Sequence, residues 1–242
     1  MSIIKAYIIR IELKESHPKV WRKIVLPAGA TYRRLHDMIQ YATNFKDNHL
    51  YEFRLEEENR VVTNNEEAYL EHQYFKKNRK LFEEQLKNIP KNMRKFEEQH
   101  QSRLNKEVRK PSGLKIDDYL ETYRSIDYVY DYGDNWEITI ILEDIVEDYY
   151  FGYPILLDGA GTAPPEDIGG VEGYHELLRI LKDPNHPDYH DRQFWINGPL
   201  RYRAYDPNHI NRMLKTVHYK KTEWHLIDHD NYTLIEDKYR KE

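Results

Sequence analysis

Between Tyr128 and Ile145 the chain reads YVYDYGDNWEITIILEDI, and its alternation commits this stretch to a β-hairpin. Trp136, Ile138, Ile140 and Leu142 fall on one side of an extended chain, while Glu137, Thr139 and Glu143 fall on the other. That is the period of a strand with one buried face. The joining residues Asp131-Tyr132-Gly133-Asp134-Asn135 admit two readings. The first is a tight turn in which Gly133 takes a positive φ, the Asp and Asn side chains bond nearby amides, and Trp136 anchors the core. The second is a site in which Asp131 and Asp134 meet Glu166 and Asp167. Clustered carboxylates with no internal cation call for a hard metal ion, a basic ligand or proton uptake. Mg²⁺ or Mn²⁺ with water would then hydrolyse a phosphoester.

The rest of the chain mixes both periods. Extended stretches at 3–13 and 20–26 precede a helix from the N-cap Thr31 to about Thr43, with Leu35, Met38, Ile39 and Ala42 at helical spacing. Residues 49–55 and 60–63 return to strand. From Glu66 to Arg109, near-heptad apolar spacing predicts two antiparallel helices, with Pro90 near the start of the second. A short helix at 114–123 precedes the hairpin. Later, Pro164-Pro165 is extended and Gly169-Gly170 permits an unusual backbone. A helix from Val171 to Lys182 ends at Asp183-Pro184, burying Tyr174, Leu177, Leu178 and Leu181. A short helix holds Phe194 and Trp195, Asp206 N-caps another with Pro207 in its first turn, and 223–235 supplies one or two final strands. The expected class is α+β: a mixed or antiparallel sheet core with packed helices and an inserted antiparallel helical hairpin. One domain spans 1–242, with the arm at 66–110 and a C-terminal extension at 216–242.

Charge and composition narrow the function. There is no cysteine, which excludes disulfides, thiol nucleophiles and thiolate metal sites. The 21 tyrosines suit half-buried sheet faces and wet interfaces. Lys5, Arg10 and Glu12 interrupt the apolar start, so neither a signal peptide nor a membrane span is expected and the protein is read as cytoplasmic. Residues 76–110 carry 12 Lys/Arg against 5 Asp/Glu, whereas 125–178 carry 13 Asp/Glu and no Lys or Arg. Such blocks imply different neighbours for different surfaces. His36 and His49 are read as packing residues before bases, and His186 as a turn residue. His225 and His229 share a helical spacing but sit in strand-like surroundings. No phosphate-cradling glycine loop, serine triad or zinc signature appears.

Several motifs together resemble the plasmid pRiA4b ORF-3-like family. They are Val20-Trp21-Arg22-Lys23-Ile24, Leu35-His36 with Ile39-Gln40, and His49-Leu50-Tyr51-Glu52-Phe53. They continue as Tyr130-Asp131-Tyr132-Gly133-Asp134-Asn135-Trp136-Glu137, Asp158-Gly159, Pro164-Pro165-Glu166-Asp167 with Gly169-Gly170, Gly173-Tyr174, and Asp183-Pro184-Asn185-His186-Pro187. Order and spacing hold from about 3 to 215, the arm apart. The resemblance implies an α+β fold, a setting on plasmids or near transposable elements, and no settled activity. Ala163 and Ile168 stand where relatives often have cysteines, and Ile138 where a histidine often follows Trp-Glu. Resolvase-like labels on some members find no support, since none of the five serines has the arginine-rich setting of a recombinase nucleophile.

The reading that follows is a cytoplasmic protein-interaction or ligand-binding module of a plasmid or mobile-element setting. Its acidic site draws on Asp131, Asp134, Trp136, Asp158, Glu166 and Asp167, and its partner-binding arm on Lys76, Lys77, Arg79, Lys80, Arg94 and Lys95. The alternatives are a Mg²⁺- or Mn²⁺-dependent hydrolase or nucleotide binder at the acidic cluster, and nucleic-acid binding through the arm.

Overall fold

The first strand shows how the core is divided. β1 (Ala6–Leu13) turns Tyr7, Ile9, Ile11 and Leu13 into one apolar cluster and Ala6 and Ile8 into another, so both faces of the sheet are covered there. The alternation is unbroken along β1; the irregularity lies on the partner strand, where Ile8 is opposite Asp144 and Ile9 opposite Leu142, which leaves Glu143 as an extra residue there.

The structure is a computed structural model that describes residues 5–87, 94–149, 151–198, 202–217 and 238–240. With β1 go β2 (Trp21–Pro27), β3 (Tyr51–Leu55), β4 (Arg60–Thr63), β5 (Glu107–Arg109), β6 (Ser125–Tyr130), β7 (Trp136–Val146) and β8 (Ile155–Ala160). They form one sheet in the order β5-β4-β3-β6-β7-β1-β2-β8. Every pairing is antiparallel except β4 with β5. The helices are α1 (Tyr32–Ala42), α2 (Glu66–Lys77), α3 (Arg79–Lys87), α4 (Arg94–Asn105), α5 (Asp117–Tyr123), α6 (Gly170–Lys182), α7 (Tyr189–Asn197) and α8 (Pro207–Leu214). This is an α+β fold with a mixed sheet. The larger cluster lies between one sheet face and residues of α1, α5, α6 and α8, among them Leu35, Met38, Leu120, Tyr174 and Leu214. No described helix is long and apolar enough to cross a membrane.

Local chemistry accounts for most boundaries. Thr31 caps α1 by accepting from the Arg34 N–H, and Asp206 caps α8 by accepting from the His209 N–H with Pro207 in the first turn. In α6, Ile180 rather than Leu181 is buried beside Tyr174 and Leu177.

The arm differs from a two-helix hairpin. Its first leg breaks at Asn78, whose backbone N–H and side-chain amide both bond the Tyr74 carbonyl, a local competition that ends α2. Its last residues leave the helix, and Val108 is buried as β5 pairs with β4. Pro90 and Met93 lie outside the described residues, as do the strands expected at 223–235 with His225 and His229, and most of the 216–242 extension.

The tyrosines are less peripheral than expected. Tyr7, Tyr128, Tyr130, Tyr149 and Tyr174 are buried with each hydroxyl hydrogen-bonded, so there the polar tip does not oppose burial, whereas the equally buried hydroxyls of Tyr32 and Tyr51 make no hydrogen bond.

Two polar side chains fasten the far edge. The buried Arg22 guanidinium donates to the carbonyls of Trp21, Ala42, Ala160 and Gly161 at 2.7–2.9 Å, joining β2, the end of α1 and the end of β8. On the side of β8 that pairs with no described strand, the Asn211 amide accepts from Leu156 N–H at 2.8 Å and donates to the Leu156 carbonyl at 3.3 Å.

Candidate functional site

The β6–β7 turn is set by its flanking residues rather than by its glycine. Asp131 and Asn135 take φ values of +59° and +51°, and Gly133 does not enter the left-handed region. Short Asp and Asn side chains tolerate that region because they bond local backbone, and the Gly133 N–H donates to Asp131 Oδ1 at 2.9 Å. The turn closes through Asn135 N–H to the Asp131 carbonyl, and Asp131 N–H is held by the Leu50 carbonyl.

Three loops meet here, 43–50, 131–135 and 161–169, and they divide the predicted carboxylates. Asp134 points to the start of α6 and accepts from Ile168 N–H at 3.1 Å and Gly169 N–H at 3.2 Å. Gly170, at φ +68°, lies so close beneath that a Cβ would fall 2.5 Å from the Asp134 carbonyl oxygen. Glu166 is buried and accepts from Lys46 N–H at 2.6 Å, Tyr130 OH at 2.5 Å and Asn48 Nδ2 at 3.1 Å. Burial, reinforced by this carboxylate, pushes the Tyr130 hydroxyl far above its ordinary pKa, so it stays a donor.

Asp131 and Asp167 are brought together, with His49 between them. His49 Nδ1 is 3.6 Å from Asp131 Oδ2, and Nε2 is 3.4 Å from Asp167 Oδ1. One ligand atom from each of the three residues lies within 4.8 Å of the others. Asp131 is buried and Asp167 exposed, so the cluster opens to solvent on one side. His49 Nε2 is shielded from solvent and makes no hydrogen bond. The ring is fixed edge-on against Tyr130 at 5.7 Å.

Other predicted residues lie elsewhere. Trp136 is fully buried, with its ring 5.9 Å from Phe45, and serves the core. Asp158 is exposed on β8, accepts from Gly159 N–H and sits in register with Lys23. Lys76 and Lys77 end α2, Arg79 and Lys80 begin α3, and Arg94 and Lys95 begin α4. Lys76 and Arg79 line a cleft of about 200 Å³ together with His72, Arg103 and Lys106. Arg79 also pairs with Glu83, and Arg103 with Glu71.

His36 looks similar to His49 in sequence and behaves differently. Its Nε2 lies 2.7 Å from Asp47 Oδ1, its Nδ1 lies 2.9 Å from Tyr128 OH, and its ring stacks on Tyr51 at 3.7 Å. Burial outweighs the Asp47 carboxylate and pushes its pKa down to about 4, so the imidazole is neutral with both nitrogens taken. His49 was legible only through the register of β3 on β6, where Tyr51 opposite Tyr130 brings position 49 beside the 131–135 turn.

Comparisons with known proteins agree on a family. A family model described as plasmid pRiA4b ORF-3-like protein matches residues 5–214. The uncharacterized protein y4hQ of Sinorhizobium fredii is 28% identical over 195 residues, covering 80% of this chain and 82% of that protein. Among solved structures, the protein of unknown function MM3350 from Methanosarcina mazei Go1 superposes with a TM-score of 0.61 at 27% identity, covering 85% of this chain and 97% of that one.

Proposed function

The chain belongs to the plasmid pRiA4b ORF-3-like family, and from that premise we propose that it is a ligand-binding module whose acidic loops take a divalent cation at His49, Asp131 and Asp167. The observation that carries this reading is the His49 Nε2 atom, shielded and without a hydrogen bond although Asp167 Oδ1 lies 3.4 Å away. A buried ring nitrogen that makes no hydrogen bond is costly, and a metal ion shared with the carboxylates satisfies it. One imidazole and two carboxylates suit Mn²⁺ better than Mg²⁺, which prefers oxygen alone. Three protein ligands leave coordination positions for water or for an oxygen of the bound molecule. Binding is favoured over hydrolysis because Asp134 and Glu166 are engaged by backbone amides rather than facing the cluster. The family description, which names a plasmid, is consistent with a plasmid setting.

Calorimetry and thermal melts with Mn²⁺, Mg²⁺ and Ca²⁺ test the reading. Mn²⁺ at a hundred times its Kd should stabilise the fold by about 2.7 kcal/mol. Asp131→Asn and His49→Gln should each abolish the gain. Flat melts and no heat with any of the three ions would overturn it.

A second reading concerns a protein partner at the arm. Leu70, Tyr74 and Leu81 are each more than half exposed there, beside the cationic cleft, a combination suited to an acidic amphipathic segment.

A further inference from the structure

An open cleft of about 440 Å³ lies between the end of α1, the loop after it, the segment 202–206 and the first turns of α8. Its walls include Tyr41, Asn44, Lys46, Arg203, His209 and Met213, and no described carboxylate lines it, although the chain carries 42 Asp/Glu against 37 Lys/Arg. We propose that this cleft binds a phosphate-bearing small molecule of mononucleotide size, with the phosphate held by Lys46 and Arg203, the guanidinium steadied by His209, and the apolar portion lying against Tyr41 and Met213.

Among the described residues neither Lys46 nor Arg203 has a carboxylate partner, so two cations face one open space with nothing of opposite sign between them. Like charges placed this way gain from an anion, and a guanidinium fork matches phosphate oxygens two at a time. The Arg203 guanidinium donates to the His209 ring. Burial, with Arg203 and Arg212 nearby, lowers the His209 pKa, so the imidazole is neutral and accepts that bond.

The placement is built into the fold. Asn44 Nδ2 donates to the Ala163 carbonyl at 2.8 Å and the Arg203 carbonyl at 2.9 Å, pinning the Arg203 segment to the loop that carries Lys46. That loop is held in turn by Glu166 through the Lys46 N–H. Carbonyls at the end of α1 already have partners within the protein. The Ala42 carbonyl is taken by Arg22, and those of Ile39 and Gln40 by Thr43. Asp206, at the start of α8, is occupied with the His209 N–H. The volume falls within the range of small-molecule sites, roughly 300–1,000 Å³.

The proposal uses none of the three cation ligands. Calorimetry on the full chain at low ionic strength, with pyrophosphate, AMP, ADP and uncharged adenosine, tests it. The phosphates should bind and adenosine should not. Lys46→Met with Arg203→Gln, both exposed side chains, should weaken phosphate binding by at least about tenfold, the loss expected for one charge-assisted hydrogen bond. Asp131→Asn should leave phosphate binding unchanged, which separates this site from the cation site. If the double variant misfolds, phosphate added to the wild type should still shift the His209 ring resonances. No binding of any phosphate, equal binding by a folded double variant, or unmoved His209 signals would overturn the proposal.

Discussion

Lowering the pH from 8 to 5 should remove about 2 kcal/mol of stability through His36 alone, because its pKa falls from 6.5 in the unfolded chain to about 4 in the fold. The cause is directional. His36 Nε2–H donates to Asp47, while Nδ1 accepts from Tyr128 OH, which itself accepts from Gln40 Nε2. The circuit closes through Gln40 Oε1, which accepts from Asp47 N–H. A proton on Nδ1 would confront the Tyr128 hydroxyl with a second donor, deep in the core. Because the folded pKa is depressed, the contribution is complete above pH 6.5 and drains away as pH falls toward 4. The limiting loss is about 3 kcal/mol, since each tenfold drop in proton affinity on folding is worth about 1.4 kcal/mol. Asp47, held low by His36 and Arg33 against its burial, gives way only below the ordinary carboxylate value of 3.8, so the two windows separate. Urea unfolding of wild type and His36→Asn across this range is the assay, with the difference in slope rather than in intercept as the readout. A His36 ring titration by NMR with a midpoint near 6.5, or identical slopes in the two proteins, would refute the reasoning.

Four further outcomes follow from named side chains and segments. Gly170→Ala should cost about 2 kcal/mol or more in chemical denaturation, since a left-handed backbone and a Cβ driven at the Asp134 carbonyl add together. Glu166→Ala should cost about 3 kcal/mol by orphaning the Lys46 N–H and the Tyr130 hydroxyl, and Tyr130→Phe clearly less, as read by paired urea melts. Arg22→Lys should lose on the order of 3 kcal/mol, because an ammonium cannot reproduce a planar fork serving four carbonyls. Replacing 66–105 by a short Gly/Ser linker should preserve one cooperative thermal transition, since neither apolar cluster draws on those residues, and a broad or absent transition would show that the arm is integral.

The elements with strong local signals were readable in advance. The caps Thr31 and Asp206, the alternation of β7 and the apolar stripe of α1 each express a period or a capping hydroxyl or carboxylate within a few residues. β8 has no such signal, because its three apolar residues run together and Asp158-Gly159 reads as a turn. The site was readable in composition only. Asp131, Asp134, Glu166 and Asp167 do gather in neighbouring loops, but which oxygen turns to an amide and which to the His49 ring depends on register and loop path. Asp134 is spent on the start of α6 and Glu166 on loop 43–50, whereas His49 enters through a strand pairing that no local pattern encodes. The Lys46–Arg203 cleft joins residues far apart in the chain, and neither segment is conspicuous by itself.

Asn211 gives the molecule a blunt margin. A sheet ends where a strand has donors and acceptors to spare, and such a strand invites a neighbour's strand to add on. At one end β5 is only three residues long, too short to template much. At the other, one carboxamide occupies the N–H and C=O of Leu156 as an incoming chain would, and Arg240 takes the next carbonyl, at Leu157. Asn211→Leu would therefore do more than loosen a helix: it would bare a β-edge, and the expected symptom is concentration-dependent self-association rather than simple unfolding.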